Sequence, residues 1–480
     1  MSHADAASIK PKLTHPILDG DGHWVESTPV IVDYLRALGG AQMADNYLKS
    51  QQGRGGWYRA SWEERRNKRL SRGNWWITVG NTLDFASAML PGLLAERMDD
   101  MGIDFAVLYP TRCLGANSIQ EPELRQAMCR AYNKMAADVF APYKTRMTPA
   151  AMIPCYSPEE AIAELEYARN TLGLKACSFK GSLQRPIPAY AKDGDGGRVP
   201  YYIDALGLDN PTSYDPLWQK CIDTRTAVTV HQGSNGWTPR MAISNGEFNR
   251  LGHAADSHVP MAKAMFLGGV VRRFPDLTVS FLEGGVAFGV ELLCNIIGGW
   301  EKRRYSAMET NLKPTNIDEG KLRELMGKYG YGPLKAKLDE TMASLQLKDL
   351  AERETECLDD YGEVGASSKR EVAELFSKNF YFGCEADDPG NAWAFDPRMP
   401  ARLKAMLGSD IGHWDVTNYM DVLPEVWEGV EDGLLTEQDV KDLCFTNPME
   451  LHTRMNPDFF EGTVVQDAVA RAQPALAGAR

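Results

Sequence analysis

The chain has 480 residues, of which 44% are hydrophobic and 24% charged, values that are ordinary for a globular protein. Its formal net charge is −13, so it has no bulk electrostatic attraction to nucleic acid or to an anionic membrane. No apolar run is long enough to span a bilayer, and the polar residues 1–14 lack the apolar region of a secretory signal. The 9 cysteines form no Cys-x-x-Cys pair, which argues against a disulfide framework or a zinc ribbon. These features predict a cytoplasmic protein with neither nucleic acid nor a membrane as a partner.

Short apolar runs recur along the chain, each followed by a loop rich in glycine, proline or polar residues. The runs are Pro16–Asp19, Phe105–Tyr109, Met147–Ile153, Leu174–Phe179, Ala227–Val230, Leu277–Leu282, Phe380–Gly383 and Ala405–Leu407. They lack strict alternation, which is typical of parallel strands buried on both faces. Helical patterns lie between many of them, at Pro122–Phe140, Pro158–Leu172 and Met261–Phe274. Alternating β and α units of this number predict a closed (β/α)8 TIM barrel.

Two stretches exceed a minimal barrel. Residues 30–95, after the first strand, are rich in arginine and carry Trp57, Trp62, Trp75 and Trp76. This insertion either forms a roof over a pocket or makes a satellite hydrophobic cluster without a ligand. Residues 300–375, before the seventh strand, are charged and helical, which is typical of a solvated excursion or a dimer arm.

The domain organisation follows from these stretches. Residues 1–463 are expected to form one barrel domain, and the Ala-rich composition of 464–480 favours a partly disordered tail. We expect a homodimer, because the chain is large and its charged helical excursions could serve as dimer arms.

Polar residues follow the predicted strands at their carboxyl ends, where (β/α) barrels place their active sites. Asp21 and His23 follow the first run, two residues apart, so their side chains point the same way. His231 follows the fifth run, Glu283 the sixth and Asp410 the eighth. Two imidazoles with carboxylates make a mixed site suited to zinc or another divalent first-row metal.

Each of these residues taken alone has a structural explanation. Asp21 could belong to a turn, His231 could be a core histidine and Asp410 could cap a helix. The joint pattern is much less expected by chance. Of only 8 histidines in the chain, three closely follow strand ends, and these are His23, His231 and His413.

These motifs resemble the second branch of the amidohydrolase superfamily, which contains aminocarboxymuconate-semialdehyde decarboxylase and related aryl decarboxylases. The resemblance runs from about Ile17 to Thr446. It is carried by Asp19-Gly20-Asp21-Gly22-His23, by His231, by Gly269-Val270-Val271-Arg272-Arg273-Phe274-Pro275-Asp276-Leu277 and by Ser409-Asp410. It implies one divalent metal, zinc with manganese as the alternative, held by Asp21, His23, His231 and Asp410.

The sequence departs from this family at two positions. Asp21 stands where many members have histidine, which leaves the preferred metal open. Glu283-Gly284-Gly285 stands where the family has His-Gly-Gly. Glu283 could act as a base if the apolar wall of Phe281, Leu282 and Phe288 raises its pKa, or it could be a further metal ligand.

Other side chains are weaker candidates. His253 is expected on the long loop 232–256, where it could move protons, and Trp237 and Arg240 of the same loop could contact substrate. His413 could support the metal site or donate a proton. Arg112 and Lys180, after the second and fourth strands, could each hold a substrate carboxylate. The alternatives are a histidine bonded to backbone and ordinary surface charges.

Three functions remain open from the sequence. The replacement of the family histidine by Glu283 slightly favours a hydrolase, in which metal-activated water attacks a carbonyl-type carbon at a C–N, C–O or C–C bond. The resemblance favours non-oxidative decarboxylation of an aryl or unsaturated carboxylate, with Asp410 protonating the ring carbon. The third is a binding protein on a barrel that has lost catalysis. The Trp- and Arg-rich insertion indicates a small-molecule substrate that is fairly large and apolar, aromatic or polycyclic, and that bears an anionic group.

Overall fold

Eight parallel strands form the centre of the computed structural model, which describes residues 5–51, 56–73, 80–190, 200–231, 241–347 and 359–477. The barrel strands are β1 (Leu18–Trp24), β2 (Phe105–Pro110), β3 (Met147–Met152), β4 (Ala176–Phe179), β7 (Val228–Val230), β8 (Val279–Phe281), β9 (Phe380–Cys384) and β10 (Lys404–Leu407). They pair in this order. Two strands outside the barrel, β5 (Leu183–Pro186) and β6 (Tyr201–Asp204), form an antiparallel hairpin.

Backbone hydrogen bonds connect β1 to the residues after β10. The Asp410 N–H donates to the Asp21 carbonyl at 2.9 Å, and the His23 N–H donates to the Ile411 carbonyl at 2.7 Å. The predicted (β/α)8 barrel is thereby confirmed. Every residue of β1, β2 and β9 is buried, which explains why these runs show no polar alternation.

The first strand differs from its prediction, because it begins at Leu18 and continues to Trp24. Asp21 and His23 therefore lie within the strand and not beyond it. The pairing register with β2 shifts between Asp19 and Gly22. Buried Asp19 accepts hydrogen bonds from the Ser409 backbone N–H at 2.9 Å and the Ser409 hydroxyl at 2.6 Å, which ties this irregular stretch to the end of β10.

The helices surround the barrel. They span Ala6–Ile9, Thr28–Gln51, Gly56–Arg59, Trp62–Lys68, Thr82–Met89, Pro91–Met101, Pro122–Phe140, Pro158–Glu166, Asp215–Asp223, Gly246–Arg250, His253–Leu267, Val270–Arg273, Ala287–Arg303, Tyr305–Ala307, Glu319–Tyr329, Gly332–Ala336, Leu338–Ser344, Lys369–Asn379, Val422–Glu431, Glu437–Lys441, Asn447–Thr453 and Gln466–Ala477. Pro122–Phe140 has the predicted bounds. The helix predicted from Met261 begins earlier, at His253, because Gly252 adopts a left-handed conformation (φ 73°) and starts a new helix there.

The described part of the Trp-rich insertion packs against the segment that follows β7. The Trp57 indole N–H donates to the Ile243 carbonyl at 2.8 Å, and the Arg65 guanidinium lies 3.7 Å from the Trp57 ring centroid. The Arg72 N–H donates to the Ala242 carbonyl at 2.9 Å. Trp75 and Trp76 lie outside the described residues. The insertion therefore supports a wall of the barrel mouth, while the choice between roof and satellite cluster stays open.

The charged insertion is helical as predicted. Its helices Glu319–Tyr329, Gly332–Ala336 and Leu338–Ser344 contain no buried residue. Residues 348–358 of this insertion lie outside the described residues.

Within the segment predicted to be a partly disordered tail, residues 466–477 form a helix. Val465 and Val469 are buried against the core, and the Val464 N–H donates to the Thr145 carbonyl at 3.0 Å. Burial of this apolar side stabilises a helix that the Ala-rich composition alone did not predict. Within the described ranges, no helix is long and apolar enough to cross a membrane, and the cysteines are free.

A buried ion pair supports the mouth of the barrel. Fully buried Asp84 accepts a hydrogen bond from the Arg97 guanidinium at 2.7 Å and from the Tyr419 N–H at 3.3 Å. Tyr419 in turn accepts from the Gly412 N–H at 2.9 Å through its hydroxyl. Asp84 therefore helps to hold the loop that follows β10.

Replacing Asp84 by alanine is expected to lower the free energy of unfolding by about 3–5 kcal/mol, because the Arg97 guanidinium would stay buried without its carboxylate. Denaturant unfolding measures this loss. Asp33→Ala is the matched control, since Asp33 forms an exposed ion pair with Arg36, and its effect should stay within about 0.5 kcal/mol. Equal effects of the two variants would contradict the role given to Asp84.

Candidate active site

Six side chains meet at the carboxyl ends of the barrel strands. Asp21 and His23 come from β1, His231 directly follows β7, and Glu283 is the second residue after β8. Asp410 and His413 come from the loop after β10. The ligating atoms form two groups in which all lie within 4.8 Å of one another. One comprises Asp21, His23, His231 and Glu283, and the other comprises His23, Glu283, Asp410 and His413.

Glu283 lies at the centre of this cluster. Its Oε1 is 3.1 Å from His231 Nε2, 3.4 Å from His23 Nε2 and 3.2 Å from His413 Nδ1. Asp21 Oδ1 is 3.7 Å from both His23 Nε2 and His231 Nε2. The structure thus brings together Asp21, His23 and His231 as the sequence predicts, and adds Glu283 to them.

Asp410 completes the cluster on the side of β10. Its Oδ1 lies 3.4 Å from His23 Nε2 and 2.6 Å from His413 Nδ1. His413 stacks on His23 with ring centroids 3.7 Å apart. Gly412 makes this return possible with φ 101°, where a Cβ would come within 2.5 Å of the His23 carbonyl oxygen.

The donor atoms fit a divalent metal ion. Asp21 Oδ1, Glu283 Oε1 and Asp410 Oδ1 are buried and accept no aligned hydrogen bond, although imidazole nitrogens lie close to each. Ligands about 2.1 Å from a common ion are about 3.0–3.5 Å from their neighbours, in the range observed here. His23 Nδ1 lies 3.3 Å from the Pro110 carbonyl, so a proton on Nδ1 leaves the Nε2 lone pair for the ion.

Backbone strain accompanies the cluster. Glu283 has φ 58° and Asp410 has φ 52°, a left-handed conformation that residues other than glycine seldom adopt. Both side chains therefore leave their strand ends from an unfavourable backbone. Strain of this kind concentrates at functional sites, and here it directs two carboxylates toward one point.

The electrostatics of the cluster differ from the sequence-based hypothesis for Glu283. Burial alone raises the pKa of Glu283, but the charge of His231 and the contacts with His23 and His413 outweigh it and hold the pKa well below its usual value. The pKa of Glu283 is thus lowered, whereas the hypothesis of a base requires an apolar wall to raise it. The reason is that three imidazoles contact its carboxylate. This favours the alternative of a further metal ligand.

Asp410 and His413 form an acidic pair. Burial raises the pKa of Asp410 well above its usual value, and the nearby Glu283 carboxylate adds to this. Burial lowers the pKa of His413, but the charge of Asp410 and of Glu283 outweighs it and raises that pKa well above 6.5. Both groups therefore bind a proton more tightly than they would in water, and the pair can donate one.

A cavity of about 450 Å³ opens onto the cluster, and Glu283, Asp410, His413 and His253 lie in its wall. His253 Nδ1 is 2.6 Å from the Arg250 carbonyl, and this histidine begins a helix instead of lying within a loop as expected.

Sequence reasoning missed Glu385 and Asp415, which also line this cavity. Glu385 directly follows β9, a position that could have identified it. Burial, with Asp415 and Glu283 nearby, raises the pKa of Glu385 to about 7.

Arg112 and Lys180 lie apart from the described wall of this cavity. The Arg112 backbone N–H donates to Glu26 at 2.8 Å, and its Nε is buried without an acceptor. Lys180 is buried and donates to the Ser118 hydroxyl at 2.5 Å. Trp237 and Arg240 lie outside the described residues, so their predicted substrate contacts stay predictions.

Comparison with known proteins finds a family that resembles part of this chain. The amidohydrolase family model matches residues 74–295, which include His231 and Glu283. No curated protein is significantly similar in sequence.

Solved structures share the fold. 2,6-Dihydroxybenzoate decarboxylase from Rhizobium is 14% identical with a TM-score of 0.51, and the match covers 92% of this chain and 99% of that one. Dihydroxybenzoic acid decarboxylase from Polaromonas sp. JS666, with bound manganese and 2-nitroresorcinol, is 13% identical with a TM-score of 0.52 and coverages of 92% and 97%. 5-Carboxyvanillate decarboxylase from Sphingomonas paucimobilis is 15% identical with a TM-score of 0.50 and coverages of 92% and 99%.

The family match includes the ends of β7 and β8, while the ends of β1 and β10 complete the cluster from outside it. Because these decarboxylases are at most 15% identical to this chain, the comparison with them shows a shared fold and no more. Residues 74–295 of this chain are similar to the amidohydrolase family, and the structural likeness to the decarboxylases extends over the whole barrel.

Proposed function

We propose that this protein is a metal-dependent decarboxylase of an aryl carboxylate. The observation that carries the proposal is the Asp410–His413 pair, which lies in the cavity wall beside the candidate metal ligands with 2.6 Å between Oδ1 and Nδ1. Loss of carbon dioxide from a ring requires a proton donor at the carbon that loses it. The site has such a donor, whereas the pKa of Glu283 is too low for an effective base.

Asp21, His23, His231, Glu283 and Asp410 would hold the metal. A divalent ion at this position would supply positive charge to the substrate carboxylate and a neighbouring oxygen. Three carboxylates and imidazole nitrogens without a thiolate suit manganese as well as zinc. The Polaromonas and Sphingomonas proteins that share this fold are decarboxylases, which supports the proposed reaction. The Polaromonas protein binds manganese, which supports a divalent first-row metal here.

The proton balance follows from the Asp410–His413 pair. The bond between the ring carbon and the carboxylate carbon breaks, and its electron pair stays on the ring carbon. That carbon takes one proton from the pair, and carbon dioxide leaves. Solvent returns the proton to the pair, so the net change is one carboxylate and one proton converted to the arene and carbon dioxide.

Hydrolysis is the second candidate, and Glu385 favours it. A carboxylate with a pKa of about 7 is suited to accept a proton from water near neutral pH. Glu385 lines the same cavity and lies within 4.8 Å of Asp410 and Asp415. In a hydrolase, Glu385 would act as the general base. It would take the place of the family histidine, at whose position this chain has Glu283.

The test is product analysis with protein loaded with manganese or zinc. We expect carbon dioxide release from 2,6-dihydroxybenzoate, 5-carboxyvanillate or a related hydroxybenzoate. In D₂O, the product should carry one deuterium at the ring carbon that lost the carboxylate. His413→Gln should lower this turnover by about 10²-fold or more, because it removes a proton-donating group. Glu385→Gln is the matched control and should retain most of it. Hydrolysis of aryl amides or esters without carbon dioxide release from any carboxylate, abolished by Glu385→Gln, would overturn the proposal in favour of a hydrolase.

A further inference from the structure

Lys180 is a buried cation without an anionic partner among the residues that the structure describes. Lys180 is only 7% exposed, and its Nζ donates a hydrogen bond to the Ser118 hydroxyl at 2.5 Å. Among the described residues, no carboxylate lies within ion-pair distance of it, although both neighbouring guanidiniums are paired. Arg125 pairs with Glu160 at 2.9 Å, and Arg185 pairs with Asp204. Burying an ammonium group without a counter-charge is unfavourable, so its presence needs an explanation.

A small cavity lies against this ammonium group. It has a volume of about 150 Å³, and its wall includes Ser118, Gln120, Tyr156 and Lys180. Because one water occupies about 30 Å³ of liquid, the cavity has room for a carboxylate or similar oxyanion with a few waters. Its position is distinct from the larger cavity at the metal cluster.

The same region has surplus hydrogen-bond donors. The Asn117 side chain is buried, and its Nδ2 has no acceptor, while its Oδ1 lies 3.3 Å from the Ser118 hydroxyl. Lys180 itself uses one of three N–H groups on Ser118. Burial lowers the pKa of Lys180 to about 8, so it remains mostly protonated at pH 7. Donors without acceptors near a cation favour an anionic ligand.

The topology places this cavity next to the metal cluster. β4 pairs with β7, and Phe179 is in register with Val230. Lys180 and His231 are the next residues on these strands, and adjacent strands lie about 4.8 Å apart. Both residues thus leave the barrel at the same end and on neighbouring strands.

We propose that Lys180, in the cavity lined by Ser118 and Gln120, is the cation of an oxyanion subsite that binds a second anionic group of the substrate, a carboxylate. The assignment of this group to the substrate rests on the proposed function, whereas the subsite itself does not. The substrate class is then an aryl dicarboxylate, with one carboxylate at the metal cluster and the other at Lys180.

The subsite is tested on metal-free protein, in which turnover plays no part. Thermal unfolding is measured at constant ionic strength while acetate or inorganic phosphate replaces chloride. We expect saturable stabilisation of about 3 °C or more in the wild type at concentrations well above Kd, because an anion that binds only the folded state shifts its unfolding. Lys180→Met should abolish this response, and Lys180→Gln should do the same if the methionine variant does not fold.

Lys175→Met is the matched control. Lys175 precedes β4, and its Nζ donates to the Phe459 carbonyl at 2.7 Å, away from the small cavity. This variant should respond to acetate as the wild type does. A wild type without a saturable response, or an equal response in Lys180→Met, would overturn the subsite.

A second measurement distinguishes a substrate group from a free ion. Calorimetric titration of metal-loaded protein compares isophthalate with benzoate. We expect isophthalate to bind at least about 10-fold more tightly, and Lys180→Met to remove that difference. Equal affinity in the wild type, with acetate binding retained, would overturn the substrate assignment and leave a subsite for a free oxyanion. Failure of decarboxylation alone would leave both binding results unchanged.

Discussion

Replacing His23 or Asp410 by alanine is expected to remove a bound divalent ion and to lower turnover by about 10³-fold or more. Each side chain contributes a ligand atom to the group that includes Glu283 and His413. Loss of one ligand leaves the remaining carboxylate oxygens without the positive charge that their convergence requires. Elemental analysis of the purified proteins, beside a turnover assay, measures both effects. We expect about one zinc or manganese ion per wild-type chain.

His15→Ala is the control for this experiment. His15 is half-buried before β1, at the opposite end of the strand from the cluster, and its Nδ1 lies 3.0 Å from the Pro16 carbonyl. This variant should retain its metal. A wild-type protein that purifies without metal and takes up neither zinc nor manganese would contradict the metal site and favour a binding protein without catalysis.

Asp21→Asn is expected to have opposite effects on the metal-free and the metal-loaded protein. Burial raises the pKa of Asp21 well above 3.8, and the Glu283, Asp410 and Asp19 carboxylates raise it further. Its Oδ1 accepts no hydrogen bond that the substitution would break. Without metal, the variant should therefore be more stable by about 1–2 kcal/mol at pH 8. With metal, loss of a charged ligand should weaken metal affinity by about 10²-fold.

The pH dependence of this gain follows from the direction of the pKa shift. The folded protein binds the Asp21 proton more tightly than the unfolded chain does, so ionisation of Asp21 destabilises the folded state as pH rises above 3.8. The stability gain of Asp21→Asn in chelator should therefore be larger at pH 8 than at pH 5. Denaturant unfolding at both pH values, with chelator and with manganese, measures it.

Asp99→Asn is the matched control, because Asp99 is 81% exposed in its ion pair with Arg146. Its effect should be small and the same with and without metal. If Asp21→Asn destabilises the metal-free protein as much as the metal-loaded one, the carboxylates do not repel one another in the way the cluster requires.

The role of Glu283 is left open by its sequence motif and is narrowed by its contacts in the structure. The motif Glu283-Gly284-Gly285 leaves a base and a metal ligand equally open. The contacts of Oε1 with His23, His231 and His413, at 3.1–3.4 Å, favour the ligand. An imidazole is nevertheless present, since His413 from the loop after β10 reaches the same point. The pair it forms with Asp410 can supply the proton that the family histidine would otherwise provide.

The barrel could be predicted from the sequence because its signals are local. Parallel strands buried on both faces are short apolar runs, and their carboxyl ends meet at one rim. Asp21, His23, His231 and Asp410 could therefore be predicted to converge from their positions after those runs. Glu385 carried the same signal, directly after β9, and it could have been recognised in the same way.

Only the tertiary structure decided the chemistry of individual groups. The left-handed backbone of Glu283 and Asp410, and the return of His413 through Gly412, depend on contacts between strands distant in the chain. The pKa directions of Glu283 and Asp410 depend on burial and on neighbours from other strands. Lys180 resembles a surface charge in the sequence, and only the structure shows that it is buried beside a small cavity, with no carboxylate partner in the described part of the chain. Sequence periodicity records which face of a strand is buried, but it does not record which charges meet there.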